Sequence, residues 1–242
     1  MNNSPLPIAI LLFALTAHAQ DPLDITRQAL RQLHGTSPIA ASVERHLLRE
    51  QKDRPTVNGA ATARVASSID GLQLTVPSAQ LANAVTEKLN TDFDAPRPVS
   101  STLMSIDLTD IALQLNSAGA LLRDLDGATV KHVEDGAARK TFELELVVRL
   151  PKADAANVKE SKSTAKLVVG ADGMPQSIEK HTSLHGRILL MSIDITMTES
   201  ATFAVHGDRL VELTEQRVND TVGMGQKAHE DRSTTIRLDS AK

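Results

Sequence analysis

Apolar and polar positions alternate in run after run through the second half of the chain. Over residues 141–150, Phe142, Leu144, Leu146, Val148 and Leu150 fall on one face, and Glu143, Glu145 and Arg149 on the other. Period-two patterning of this kind predicts a strand in a sheet with one dry side. A longer run follows. Leu189, Met191, Ile193, Ile195 and Met197 share a parity that Ala201, Phe203 and Val205 continue past Glu199, with serines, threonines and Asp194 opposite. One straight strand of that length would exceed about 50 Å, so a tight turn or a bulge is expected near Glu199. Turn signals at Asp172-Gly173, His185-Gly186 and Gly207-Asp208 separate these strands, and a last strand is expected over 228–238.

The first half reads mainly as helix. Asp24 is placed to cap a short helix over 25–33 that stops at Gly35. Ser37-Pro38 offers a cap and a first-turn proline for a second helix to about Lys52, with Ile39, Val43, Leu47 and Leu48 as its buried stripe and His46 one turn from Glu50. Residues 61–69 and 72–76 read as a hairpin around Asp70-Gly71. A helix is expected over 79–89, where Leu81, Val85 and Leu89 recur every four residues and Glu87 and Lys88 face water. From 104 to 125, Met104, Leu108, Ile111, Leu115, Ala118, Leu122 and Leu125 make one helical stripe. The fold class that follows is α+β: a large curved antiparallel sheet, half-barrel-like, with several helices covering its apolar concave face. Residues 20–242 are expected to form a single domain, helix-rich to about 126 and strand-rich after it.

The N-terminus adds location. Residues 8–15 are eight consecutive apolar positions followed by Ala17-His18-Ala19 and Gln20, the form of a secretory leader with a small-x-small cleavage site. Residues 1–19 are therefore expected to be removed, with cleavage between Ala19 and Gln20 and release to the periplasm or exterior. That run is too short to remain as a membrane span, and no later stretch reaches the length of an integral membrane segment.

Composition narrows the chemistry. The 242 residues include no Cys, Trp or Tyr, which removes disulfides, thiolate nucleophiles and Cys-ligated metals. Lys and Arg number 26 against 30 Asp and Glu, and no stretch is dominated by basic residues, so no nucleic-acid partner is expected. Glu179, His181, Ser183 and His185 share a strand face. His181 and His185 are weak metal-ligand candidates, outweighed by a solvated face beside a turn. Asp107, Asp110, Asp124 and Asp126 read as helix caps, turn residues and solubilising charge rather than as a catalytic pair. There is no G-x-S-x-G elbow, and Gly223-Met224-Gly225 lacks the rest of a phosphate loop. No catalytic residue is assigned and no cofactor is called for.

What remains is apolar area. The face carrying Leu144, Leu146, Val148, Leu189, Met191, Ile193, Ile195, Met197 and Phe203 is the candidate lining of a groove, since each CH₂ buried there contributes about 0.8 kcal/mol without any sharp motif. The leader ending Ala17-His18-Ala19, the early helix, the strands meeting at Asp172-Gly173 before Met174-Pro175 and the long run over 188–205 together resemble the periplasmic lipoprotein-carrier superfamily. That superfamily comprises the outer-membrane lipoprotein localisation proteins and related sensor domains that bind an anti-sigma factor. The resemblance implies an unclosed, strongly curved antiparallel sheet with helices over its concave side. It also implies a non-enzymatic carrier or binding role toward an apolar small molecule, lipid, acyl chain or lipoprotein segment. The alternatives are a structural or interaction module with a closed core and an envelope-protein partner, or a hydrolase whose triad is assembled from remote residues.

Overall fold

The computed structural model describes residues 21–92, 94–151, 155–188, 191–223 and 225–239. The expected leader, Leu189 and the connection at Met224 lie outside them. Ten strands form a single antiparallel sheet in the order β3-β2-β1-β10-β9-β8-β7-β6-β5-β4, open between β3 and β4. The strands are β1 (Ala40–Gln51), β2 (Val57–Ser68), β3 (Gly71–Thr75), β4 (Thr129–Asp135), β5 (Arg139–Glu145), β6 (Val158–Gly170), β7 (Pro175–Ile188), β8 (Met191–His206), β9 (Arg209–Gly223) and β10 (Gln226–Leu238). Among the described residues five helices accompany them: α1 (Asp24–Arg31), α2 (Ser78–Leu89), α3 (Pro98–Met104), α4 (Leu108–Gln114) and α5 (Ala118–Leu125). The fold is the expected α+β architecture with an unclosed sheet. None of the described helices is long and apolar enough to cross a membrane.

The sheet curls around the helices. The seven-residue α4 touches both β3 and β9, which stand four strands apart, and a flat sheet would separate them by about 19 Å. Two apolar clusters result on the inner face. In one, Leu30, Ala118, Leu121 and Leu125 pack on Phe142, Leu144, Leu167, Ile178 and Ala201. In the other, Ile106, Ile111 and Leu115 pack on Val43, Ala63, Val65, Val211 and Ile236. The segment after Met104 therefore serves both halves of the sheet.

Residues 38–52, expected to be helical, are mostly strand β1. Spacing of four at Ile39, Val43 and Leu47 fits a helix, but alternation at Ala41, Val43 and Leu47 fits a strand equally well, and the charged side chain that masks it, Arg45, points inward and is fully buried. His46 consequently meets Glu44, 3.2 Å away on its own strand face, rather than Glu50. The stripe from Met104 to Leu125 is three short helices, not one. The Ser105 carbonyl accepts a hydrogen bond from Arg45 Nη1, Asp107 caps α4 by accepting from the Thr109 N–H at 2.5 Å, and the Ser117 N–H donates to the Leu210 carbonyl at 2.8 Å. Backbone groups that a continuous helix would pair internally are thus taken by the sheet and by caps. Met104, at 72% exposure, falls off the stripe altogether.

Strand β5 leaves the ladder at Glu145, five residues before the alternation ends. Strand β7 runs straight through His185-Gly186, where a turn was expected. Gly186 is needed there because a Cβ would lie 2.5 Å from the Asn157 carbonyl oxygen, beside the irregular start of β6. The β8 run is continuous through Glu199, and its irregularity falls three residues later. Thr202 pairs with Thr214 and Phe203 with Glu212, leaving Leu213 as the extra residue of a bulge. Helix α2 forms as expected, but its stripe faces outward: Leu81, Val85 and Leu89 are exposed and only Ala84 is buried. Glu87, expected in water, is half-buried and accepts hydrogen bonds from the backbone N–H groups of Val99 (3.1 Å) and Ser100 (2.7 Å) at the start of α3.

Candidate functional site

Two cavities open between the helices and the inner face of the sheet. The first, about 280 Å³, lies where residues 146–150 leave β5 and pass over β6, β7 and β8. Leu146, Val148, Leu150, Leu184 and Met197 give it apolar walls, Ser163, Thr182 and Arg149 add polar groups, and Asp124, Lys180 and Glu199 close one end. Three candidate groove residues, Leu146, Val148 and Met197, meet here. Ile195 and Ile193 continue the same face of β8 toward its first residue, Met191, which is 42% exposed, but none of the three lines the cleft. Leu144 is sealed in the core at 2% exposure, and Phe203 lines the neighbouring cavity. His181 and His185 are on the outer face, where His185 Nδ1 lies 2.7 Å from Asp194 and His181 Nδ1 lies 3.4 Å from the Thr198 hydroxyl.

The second cavity, about 230 Å³, lies under α4 and α5. Its walls are charged, and the sheet register explains how. Lys180 faces Glu199 across β7 and β8, Glu199 faces Arg217 across β8 and β9, and Arg217 faces Arg232 across β9 and β10. These inward positions extend a row that is apolar in β5 and β6. From α5 to α4 the groups make a continuous chain of ion pairs. Asp124 Oδ2 to Lys180 Nζ is 3.1 Å, Lys180 to Glu199 is 2.6 Å, and Glu199 to Arg217 is 3.0 Å. Arg217 to Glu215 is 3.0 Å, Glu215 to Arg232 is 3.6 Å, and Arg232 to Asp110 is 3.7 Å. Gln114 Nε2 also donates to Glu215 at 2.6 Å. Behind the chain, the wholly buried Arg45 donates from Nε to the Thr234 hydroxyl at 3.1 Å.

Burial alone would lower the Lys180 pKa and raise that of Glu199. Instead, the facing charges win: Glu199 and Asp124 raise Lys180, while Lys180 and Arg217 lower Glu199. Arg45 goes the other way, because desolvation and the neighbouring Arg232 charge outweigh Glu215 and Asp110. Glu212, which faces Phe203 across the bulge, has neither a hydrogen bond nor an ion pair among the described residues. Burial, with Glu215 and Glu199 nearby, pushes its pKa up to about 8.

No protein-family model matches the chain, and no curated protein sequence matches it. Among solved structures it is similar to the crystal structure of a LolA superfamily protein from Nitrosomonas europaea. Identity is 12%, the TM-score is 0.28, and the match covers 90% of this chain and 93% of that one. No residue role is transferred through it.

The alternation that identified the dry face carried a signal of the charged chain as well. Glu199 occupies an inward slot in an apolar run and reads there as an interruption, whereas Arg45 reads as a water-facing position of the expected helix and is in fact an inward slot of β1. Asp110 and Asp124, read as solvent-facing, hold Arg232 and Lys180. Leu184, which lines the cleft, is not among the candidate groove residues. Glu212, Glu215 and Arg217 had no such mark, since the bulge in β9 shifts their parity.

Proposed function

We propose that this is an exported, periplasmic, non-enzymatic binding or carrier protein that holds an apolar chain between its helices and the inner face of its sheet. The chain would be that of a lipid, an acyl group or a lipoprotein segment. The observation that supports this reading most directly is the cleft walled by Leu146, Val148, Leu184 and Met197 beneath residues 146–150. The apolar part of its wall favours hydrocarbon through buried area, with Ser163 and Thr182 at the floor, and methionine adapts to irregular occupants. The expected leader supplies the location.

The test is displacement of a fluorescent fatty-acid probe from the purified protein, together with native mass spectrometry for co-purifying lipid. Saturable probe binding is expected, weakened about tenfold or more in Met197→Glu, where about 1.4 kcal/mol corresponds to each factor of ten. Leu81→Gln on the outward stripe of α2 should leave it unchanged. Absence of saturable binding by the folded protein would overturn the proposal. It would favour the second reading, a closed-core interaction module, which the ion-pair chain tying α4 and α5 to the sheet supports. The mass of the exported protein tests the cleavage after Ala19.

A further inference from the structure

Glu212 is the carboxylate of the second cavity that no cation pairs. Five carboxylates, Asp110, Asp124, Glu199, Glu212 and Glu215, line that cavity. The cations on its walls are Lys180, Arg217, Arg232 and the exposed Arg123, with Arg45 behind. Ion pairs engage every one of these carboxylates except that of Glu212. Ionised, Glu212 would therefore stand without a cation in contact among the described residues. A second group there wants a donor: Gln114, 7% exposed, gives its Nε2 to Glu215 and keeps Oε1 without a partner. The Nε–H groups of Arg217 and Arg232 are also unpartnered, but both guanidinium groups are already neutralised by Glu199, Glu215 and Asp110, so they call for a neutral acceptor and not for another anion.

We propose that the cavity under α4 and α5 is a subsite for an ammonium group with Glu212 as its counter-ion, and that the ligand is an amphiphile with an amine-bearing head. This rests on the proposed function, since the tail lies in the adjoining aliphatic cleft. Asp124, Lys180 and Glu199 line both spaces, so the head and tail sites meet at that triad. The cation supplies the missing ion-pair partner and favours the ionised form of Glu212, so binding releases a proton from it at neutral pH. A ligand with a hydroxyl head gains a hydrogen bond at most. An anionic head meets the unpaired carboxylate.

Calorimetric titration of the full mature protein with n-decylamine, n-decanol and n-butylamine separates the possibilities. Decylamine should bind at least tenfold more tightly than decanol at pH 7, and butylamine should bind far more weakly than decylamine. Repeating the decylamine titration in buffers of different ionisation enthalpy should reveal proton release, which disappears in Glu212→Gln along with the preference over decanol. That variant replaces a carboxyl that is mostly protonated at neutral pH by a neutral amide of similar size, so it is expected to fold, and an unchanged or raised melting temperature confirms that it has. Equal binding of decylamine and decanol, or a preference that survives in Glu212→Gln, overturns the ammonium subsite and leaves the apolar cleft standing. Butylamine matching decylamine overturns the amphiphile, because the cleft then contributes nothing. Failure of all three ligands to bind overturns the cleft and the subsite together.

Discussion

Lys180 and Glu199 stand directly opposite each other on β7 and β8, with Nζ 2.6 Å from Oε1, at the wall shared by the aliphatic cleft and the charged cavity. Asp124 holds the same ammonium from α5, so one lysine ties the helix layer to the sheet. Removing one member of a partly buried pair strands the other's charge, whereas replacing both leaves none stranded. Lys180→Met should cost about 3 kcal/mol, and Lys180→Met with Glu199→Leu distinctly less. Urea denaturation of the two variants decides it, and a double variant less stable than the single would contradict the assignment.

Glu212 gives the fold a pH dependence of its own. Its carboxyl keeps a proton to about pH 8 in the folded chain and releases it near the ordinary glutamate value of 4.5 once unfolded. The folded state binds more protons between those limits, so the stability contributed by this group is complete below about pH 4.5 and falls as pH rises through 8. Thermal melts should show a decline across that window that is flatter in Glu212→Gln.

Asp208 acts in the opposite sense. In the turn between β8 and β9 it accepts hydrogen bonds from the Thr36 N–H (2.9 Å), the Thr36 hydroxyl (2.6 Å) and the Ser37 N–H (2.7 Å), which anchors the segment entering β1. These bonds hold its carboxyl well below the usual range, those to the Thr36 and Ser37 side chains foremost. The stabilisation is present above about pH 4 and is lost as pH falls further. Asp208→Ala should lower the melting temperature at pH 7, and the gap to the parent protein should close in acid.

Gly59 sets how closely α3 approaches β2. A Cβ there would lie 2.5 Å from both the Pro98 carbonyl oxygen and the Thr102 hydroxyl. Gly59→Val should therefore destabilise by about 1–3 kcal/mol, the usual cost of overpacking. Ile111→Ala, at 0% exposure, should cost about 2–5 kcal/mol, while Leu81→Gln, at 49% exposure, should stay within about 0.5 kcal/mol. Chemical denaturation of the three variants checks the ordering, and a large loss for Leu81→Gln would show that the α2 stripe is buried in solution.

Local patterning carried the strand-rich second half because alternation is a property of neighbouring residues. Phe142 and Leu144 are buried as their parity requires, and the turns at Asp172-Gly173 and Gly207-Asp208 lie between the strands they were expected to separate. It failed where a tertiary partner altered the pattern. Arg45 is tolerated inside β1 because Ser105 and Thr234 accept its hydrogen bonds, and those acceptors are 60 and 189 residues away. The break between α4 and α5 follows from a bond to the Leu210 carbonyl, and the outward stripe of α2 from its docking on α3.

Residue order alone predicts which residues are strand or turn over most of the second half, that one sheet face is largely apolar, and that helices cover it. Those properties follow from hydrophobic periodicity and turn chemistry, which act over a few residues. Folding is needed to bring charges to the middle of that face, to gather Met197, Leu146 and Leu184 around one cleft, and to leave Glu212 without an ion pair among the described residues. Each depends on inter-strand register and on a bulge, and so on which distant residues the curled sheet sets side by side.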